Sequence, residues 1–460
     1  MMHRWNQENV LQSVNTRIAM LGGAAALVGT LVAACSSDLA TPGAVDAAAQ
    51  NDGASADAAD ATSSDSGEQS SACDAPAGAR ILNAKMPAGY CAWTWANVDR
   101  PRGLLVAPNG DVLVVDRTAG SIRALFDDDG DGLSGESESV TLAQANGLNH
   151  GLALHDGYLY ASSASTVYRW PFVAGTRAAL SGRQTVVTSI PSGGHATRTL
   201  VFDAQGNLYV SVGSNANIDP DSSRARIRRF TPAQVAAGSV VFTGGEIFAD
   251  GLRNEVGLRF DAQGRLWGVE NERDNLSRAD LGGDIHTDNP AEELNLFAAP
   301  GKFYGYPYCF SEFLLPSGVG KGPGTQWADP NFMNDGTHTD AWCRSTNNVV
   351  PPALVMPAHV APLDIIFYDG ALFPSELQGD AFVSFHGSWN RQPAQGYEVR
   401  RVVFDNGMPV RLEPFFEFDG EGDTSAAWPH RPVGLAVGKR GELFVSSDAS
   451  NQIIAIGYKR

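Results

Sequence analysis

The sequence predicts an all-β fold, a six-bladed β-propeller, and three observations carry that expectation. A short phrase recurs six times: an apolar triplet, a polar turn, then a second apolar strand. Its copies begin at Arg102-Gly103-Leu104-Leu105-Val106, His150-Gly151-Leu152-Ala153-Leu154, Arg198-Thr199-Leu200-Val201-Phe202, Val256-Gly257-Leu258-Arg259-Phe260, Ala361-Pro362-Leu363-Asp364-Ile365 and Val433-Gly434-Leu435-Ala436-Val437. Spacing of roughly 40 to 50 residues is that of a propeller blade, a small antiparallel sheet that buries its faces only against its neighbours. The third observation is composition: 50 glycines among 460 residues suit many short strands joined by tight turns.

The elements follow in chain order. Arg4 and Arg17 precede an apolar run from Ile18 to Ala34, which ends Leu31-Val32-Ala33-Ala34-Cys35. Small residues before a cysteine resemble a bacterial lipobox, so residues 1–35 are expected to be a lipoprotein-type signal peptide, with Cys35 lipidated. Residues 36–79 change to Ala, Ser, Asp and Gly with no Lys or Arg. Such a segment buries too little apolar surface to offset its ordering entropy, and is expected to be a disordered acidic tether. Residues 80–460 are then the propeller. No later segment is long and apolar enough to span a bilayer, so attachment is expected by lipid only, placing the chain in the cell envelope (periplasm or outer surface). The net charge of −18 argues against nucleic acid as a partner.

After Cys35 four cysteines remain, Cys73, Cys91, Cys309 and Cys343. An even count in an exported chain favours disulfides; of three connectivities, pairing of neighbours, Cys73–Cys91 and Cys309–Cys343, is the one expected.

Within the first copy, Asp127-Asp128-Asp129-Gly130-Asp131-Gly132 with Glu138 twelfth from Asp127 fits a calcium loop. Alternating oxygens surround a hard cation while glycine allows the sharp turn, so Asp127, Asp129, Asp131 and Glu138 are expected to hold a structural Ca²⁺. Between the fourth and fifth copies the spacing doubles, over about 273–357, in a stretch rich in aromatics: Phe303-Tyr304-Gly305-Tyr306-Pro307-Tyr308, Trp327, Phe332 and Trp342. This insertion is expected to cap the channel, because long structured loops in compact domains are usually functional.

The chemistry gathers beside the repeats. His195 closes Gly193-Gly194-His195-Ala196-Thr197-Arg198, Arg253-Asn254 precedes the fourth copy, and Glu270-Asn271-Glu272-Arg273-Asp274 closes it. His359 opens the fifth copy, His386-Gly387-Ser388-Trp389-Asn390-Arg391 ends it, and His430-Arg431-Pro432 opens the sixth. Radial blades bring equivalent positions to one channel mouth, where Arg and His suit an anionic ligand.

With Pro101-Arg102-Gly103-Leu104, Gly251-Leu252-Arg253-Asn254, Tyr304-Gly305-Tyr306-Pro307 and Arg431-Pro432-Val433-Gly434 added, the ordered set resembles the sorbosone dehydrogenase branch of the soluble quinoprotein glucose dehydrogenase family, over Pro101 to Tyr458. The resemblance implies a pyrroloquinoline quinone (PQQ)- and Ca²⁺-dependent oxidation of an aldose or sorbosone-like sugar. It makes His195 the general base and Arg253 the group facing the reactive quinone carbonyl, with Asn254 beside it. It assigns the cofactor Ca²⁺ to the backbone carbonyls of Glu272 and Arg273. Arg391 and Arg431 match positions that pair with the cofactor carboxylates, and His359 and Arg102 match cofactor contacts.

Two departures stand out: Ser214 follows Gly213 where glucose-specific members carry an orienting Asp, and a single His precedes Ala196 where branch members often show two. No C-x-x-C-H haem motif occurs, so an external electron acceptor, a quinone or cytochrome, is implied. Two alternatives remain for a six-bladed propeller. One is a Ca²⁺-dependent lactone hydrolase drawing on Glu270, Asn271 and Asn254. The other is a non-catalytic binding module.

Overall fold

A computed structural model describes residues 75–420 and 427–459. Six sheets form the six blades, antiparallel except for one parallel edge strand in each of blades two and three. Their inner strands are Pro101–Val106, Leu148–His155, Leu200–Phe202, Glu255–Phe260, Pro362–Phe367 and Pro432–Val437, so each of the six repeated phrases is the innermost strand of a blade. Successive inner strands touch in order, and the sixth returns to the first to close the ring.

The second strand of each blade is a continuous buried run in five of the six, among them Val112–Asp116, Leu208–Val212 and Leu443–Ser447. Continuous burial arises because both faces of a blade are covered, as the packing confirms: the main apolar clusters each lie between two adjacent blades. Leu113, Ile122, Leu148 and Trp170 join blades one and two, for example, while Trp267, Leu294, Ile365 and Val383 join four and five. At the axis the approach is tight. A methyl group on Gly151 would lie 2.2 Å from the Arg198 carbonyl oxygen of the next inner strand, which explains a glycine at that point of the phrase.

The ring is sealed by the start of the described chain. Tyr90–Asn97 is the outer strand of blade six, antiparallel to the C-terminal strand Gln452–Tyr458, and Ala84–Lys85 adds an edge to blade five. Cys91 is disulfide-bonded and buried. Cys73, Cys35, the signal peptide and nearly all of the expected tether lie outside the described residues. Among the described residues no helix is long and apolar enough to cross a membrane.

The stretch expected to be one insertion, about 273–357, is corrected in one respect. It contains the two outer strands of blade four, Glu292–Phe297 and Leu354–Met356. The excursions lie before and between them, so blade four appeared to end early only because its outer strands are far apart in sequence. The longer excursion lends Lys302–Phe303 to the edge of blade three and forms a hairpin of Cys309–Ser311 with Gln326–Ala328. A short helix, Asp340–Cys343, is tied to that hairpin by the Cys309–Cys343 disulfide.

Candidate active site

Inner strands and their antiparallel neighbours meet one end of the ring with the start of the first and the end of the second. The residues expected to carry chemistry occupy just those positions. Arg102, His150, Arg253, Asn254, His359 and Arg431 lie at or just before inner-strand starts, and Ser214, Glu272, His386 and Asp448 follow second-strand ends. A cavity of about 650 Å³ opens at the opposite end of the inner strands, lined by Val106, Phe260, Phe367 and Val437, and holds none of these residues.

His195 sits beside Ser214: its Nδ1 is 3.1 Å from the Ser214 carbonyl and 3.0 Å from the Ser214 Oγ. A carbonyl only accepts, so Nδ1 carries the proton and Nε2 is left with its lone pair. Burial, aided by the charge of Arg253, pushes the imidazole down to about 4. The close fit depends on Gly213, where a Cβ would lie 2.6 Å from the His195 Cβ and 2.7 Å from Asn254 Oδ1. The ring is therefore neutral at neutral pH, and the absence of a carboxylate at position 214 keeps it so. Replacing Ser214 with Asp would favour imidazolium, so the acid limb of kcat/KM should move up by about one to three pH units. A pH–rate profile measures this, and a limb left in place would show that His195 is not the titrating base.

Arg253 is 4% exposed and fully engaged. Its Nε donates to the Asn217 carbonyl, Nη1 to the carbonyls of Asn271 and Glu272 at 3.1 and 2.6 Å, and Nη2 to Asn217 Oδ1 and Asp274 Oδ2, both at 3.0 Å. The carbonyl of Glu272, expected to ligate the cofactor ion, is thus already taken by a guanidinium. An ion there must share it with Arg253. Asp274 also faces His359 Nδ1 at 3.7 Å, while His359 Nε2 donates to the His286 carbonyl at 2.5 Å. The Arg273 side chain turns away from the mouth, pairing with Asp329 at 2.5 Å.

A second group belongs to blades one, five and six. Asp448 accepts from Arg102 Nη1 and from His386 Nε2, each at 2.8 Å. These hydrogen bonds and the charge of Arg102 hold its carboxyl well below the usual range, against the effect of burial. Arg431 donates to the carbonyls of His386 and Gly387, both at 2.9 Å, and stacks over Tyr397. Arg391 pairs with Asp288 at 2.6 Å and also donates to the Thr287 carbonyl. In this group Arg102 Nε, Asn390 Nδ2 and Arg391 Nε are buried donors that find no acceptor.

The calcium-like loop connects the third and fourth strands of blade one, and carboxylate oxygens of Asp127, Asp129 and Asp131 lie within 4.8 Å of one another. Glu138 is corrected: its carboxylate accepts from the backbone N–H groups of Asp128, Asp129 and Gly135, and those bonds hold it below the usual range. It shapes the loop and does not complete the carboxylate trio. Ca²⁺ titration calorimetry on Asp129→Ala should show one Ca²⁺ fewer than wild type; an unchanged stoichiometry would reduce the loop to an acidic turn.

Asn217 and Asp448 were not picked out from the sequence, while Asp274 and Tyr306 stood within quoted motifs without a role of their own. Tyr306, from the insertion, donates to the Asn217 carbonyl at 3.2 Å and so braces the support of Arg253. Asp448 had a signal: it follows the second strand of blade six as Asp116 ends that of blade one.

The fold and this mouth define a six-bladed propeller with an enzyme-like site of histidines, arginines and carboxylates at one end of its channel. The chain belongs to the TrAA12-like family, which it matches over residues 84–459. It is 33% identical over 395 residues to the pyrroloquinoline quinone-dependent pyranose dehydrogenase of Coprinopsis cinerea, covering 77% of this chain and 52% of that protein. This chain therefore spans about half the length of that relative. A pyrroloquinoline quinone-dependent sugar dehydrogenase of Hypocrea jecorina is 32% identical over 410 residues, covering 82% of this chain and 90% of the relative. The iodide structure of a Trichoderma reesei family AA12 enzyme superposes with a TM-score of 0.72 at 31% identity, covering 83% of this chain and 98% of that one.

Proposed function

We propose that this chain is a PQQ- and Ca²⁺-dependent sugar dehydrogenase that oxidises an aldose or sorbosone-like sugar and passes electrons to an external acceptor. The observation that carries the reading is a neutral, half-buried His195 with Nε2 unclaimed, at a mouth where Arg102, Asn390 and Arg391 hold donors without acceptors. Those donors fit a planar group bearing several carboxylates, and both fungal relatives are named as PQQ-dependent.

In this reading Arg102, Arg391 and Arg431, with His359 and Asn254, hold the cofactor, and its ion lies at the carbonyls of Glu272 and Arg273. When bound, PQQ supplies a two-electron acceptor and its Ca²⁺ a Lewis acid. His195 Nε2 takes the proton of the sugar's anomeric hydroxyl as the C1 hydride leaves. Arg253, fixed by Asn217, Asp274 and two carbonyls, presents a positive charge that need not reorganise during the reaction. The lactonase alternative is disfavoured: Glu270 is fully buried, out of reach of a lactone, and the Asn271 amide donates to the Pro362 carbonyl.

The same proposal includes a structural Ca²⁺ at Asp127, Asp129 and Asp131, export by the 1–35 signal, lipidation at Cys35 and a cell-envelope location, supported by sequence pattern alone. The test is reconstitution. Purified protein is titrated with PQQ and Ca²⁺ and assayed with a dye acceptor against an aldose panel. Cofactor-dependent dye reduction is expected, and failure to bind PQQ would overturn the reading.

A further inference from the structure

On the face that blade four turns toward blade three, the apolar pattern breaks. Leu266 and Phe297 pack into the core between those blades. The next positions on the same face are Gly268 and Glu270 on one strand, and Asn295 and Glu293 on its neighbour. Register sets Glu270 directly opposite Glu255 on one side and Glu293 on the other. Like charges placed so are destabilising, and here they are also out of water. Glu255, Glu270, Glu272 and Glu293 are 3%, 0%, 6% and 2% exposed. Oxygens of Glu270, Glu272 and Glu293 lie within 4.8 Å of one another.

The available donors do not balance this arrangement. Glu270 accepts from the Arg253 backbone N–H and the Asn295 amide. Glu293 accepts from that same amide and from the Ser311 hydroxyl, and Glu272 accepts the Arg273 N–H. The Arg253 guanidinium makes its ion pair with Asp274 instead. Both carboxylate oxygens of Glu255 and the Oδ1 of Asn295 are buried with no hydrogen-bond partner. Glu255 lies over Gly268, where a Cβ would meet its Oε1 at 2.0 Å, so the glycine makes room for the carboxylate.

We propose that Glu255, Glu270, Glu272 and Glu293, with Asn295 Oδ1, bind a divalent cation of the Ca²⁺ type between blades three and four. The donors are all oxygen, the set a hard cation takes, and Ca²⁺ accepts six to eight at about 2.3–2.6 Å. The site uses side chains, whereas the cofactor ion is assigned to backbone carbonyls, one of them that of the same Glu272; the Asp127 loop belongs to blade one. Through the Arg253 N–H on Glu270 and the Ser311 hydroxyl on Glu293, the ion ties the strand that carries Arg253 to the hairpin of the insertion.

The test uses the full chain without PQQ, loaded with Ca²⁺, gel-filtered and analysed for bound metal by mass spectrometry. It therefore stands apart from the dehydrogenase reading. Glu255→Gln and Glu293→Gln are each expected to retain one Ca²⁺ fewer than wild type, and a chain also carrying Asp129→Ala to lose a second. Unchanged Ca²⁺ content with a raised thermal midpoint would overturn the proposal, since Gln then merely relieves repulsion among proton-sharing carboxyls. Should the Gln variants fail to fold, the Asp129→Ala chain alone decides. A chelator must lower its thermal midpoint by several degrees, by linkage, and an unmoved midpoint would overturn the site.

Discussion

Replacing His195 with alanine is expected to lower turnover by about 10²–10⁴-fold, the usual contribution of a positioned general base, while leaving PQQ binding intact. The separation follows from the geometry. His195 stands against Ser214 on blade three, whereas the arginines assigned to the cofactor, Arg102, Arg391 and Arg431, belong to blades one, five and six. A cofactor titration followed by stopped-flow reduction measures both quantities on one sample. Turnover preserved in the alanine variant would remove His195 from the chemistry, and lost PQQ binding would make it a cofactor contact instead.

The largest effect on stability is expected outside the mouth, at Asp329. Its carboxylate pairs with Arg273 Nη1 at 2.5 Å, with side chains 2% and 7% exposed. Asp329→Ala leaves a guanidinium buried without its counter-charge, and breaking such a pair costs about 3–5 kcal/mol. Arg273 keeps only long contacts to the carbonyls of Asp274 and Asn275, at 3.2 to 3.4 Å, which do not replace a carboxylate. The exposed pair Arg229–Glu246 is the control, since such pairs contribute about 0–1 kcal/mol. Denaturant unfolding of both variants measures the contrast. A loss at Asp329 as small as the control would show that water reaches Arg273.

The inner strands were legible because each repeats one local pattern, an apolar triplet ending in a polar turn, and several carry the glycine that the axis requires. Blade four was legible only in its first two strands. Glu292–Phe297 is apolar at Leu294, Leu296 and Phe297 but carries Glu292, Glu293 and Asn295, so its composition hid a buried strand. The N-terminal strands were hidden differently, since Tyr90 pairs with Tyr458 and nothing local announces that partner. In the site, His195, Arg253 and Arg431 stood at the repeated junctions and could be read from position. Asn217 and Asp274, which support Arg253, and Asp448, which supports Arg102 and His386, come from other loops. The loop at Asp127 shows the limit of a spacing motif: it counts Glu138 as a ligand, yet spacing does not tell which way a carboxylate turns.

The strand pairing that seals the ring has a consequence for how the chain reaches this shape. Tyr90–Asn97 finds its partner only when Gln452–Tyr458 exists, so the earliest part of the propeller to be synthesised waits for the last. Five blades can assemble while the sixth remains an open edge, and contacts of such sequence separation are the slow ones in folding. A chain truncated before Gln452 would expose the edges of Tyr90–Asn97 and Leu443–Ser447 at once, each a template for pairing with another molecule. The strand Gln452–Tyr458 thus acts as a clasp, closing the ring when it pairs with Tyr90–Asn97.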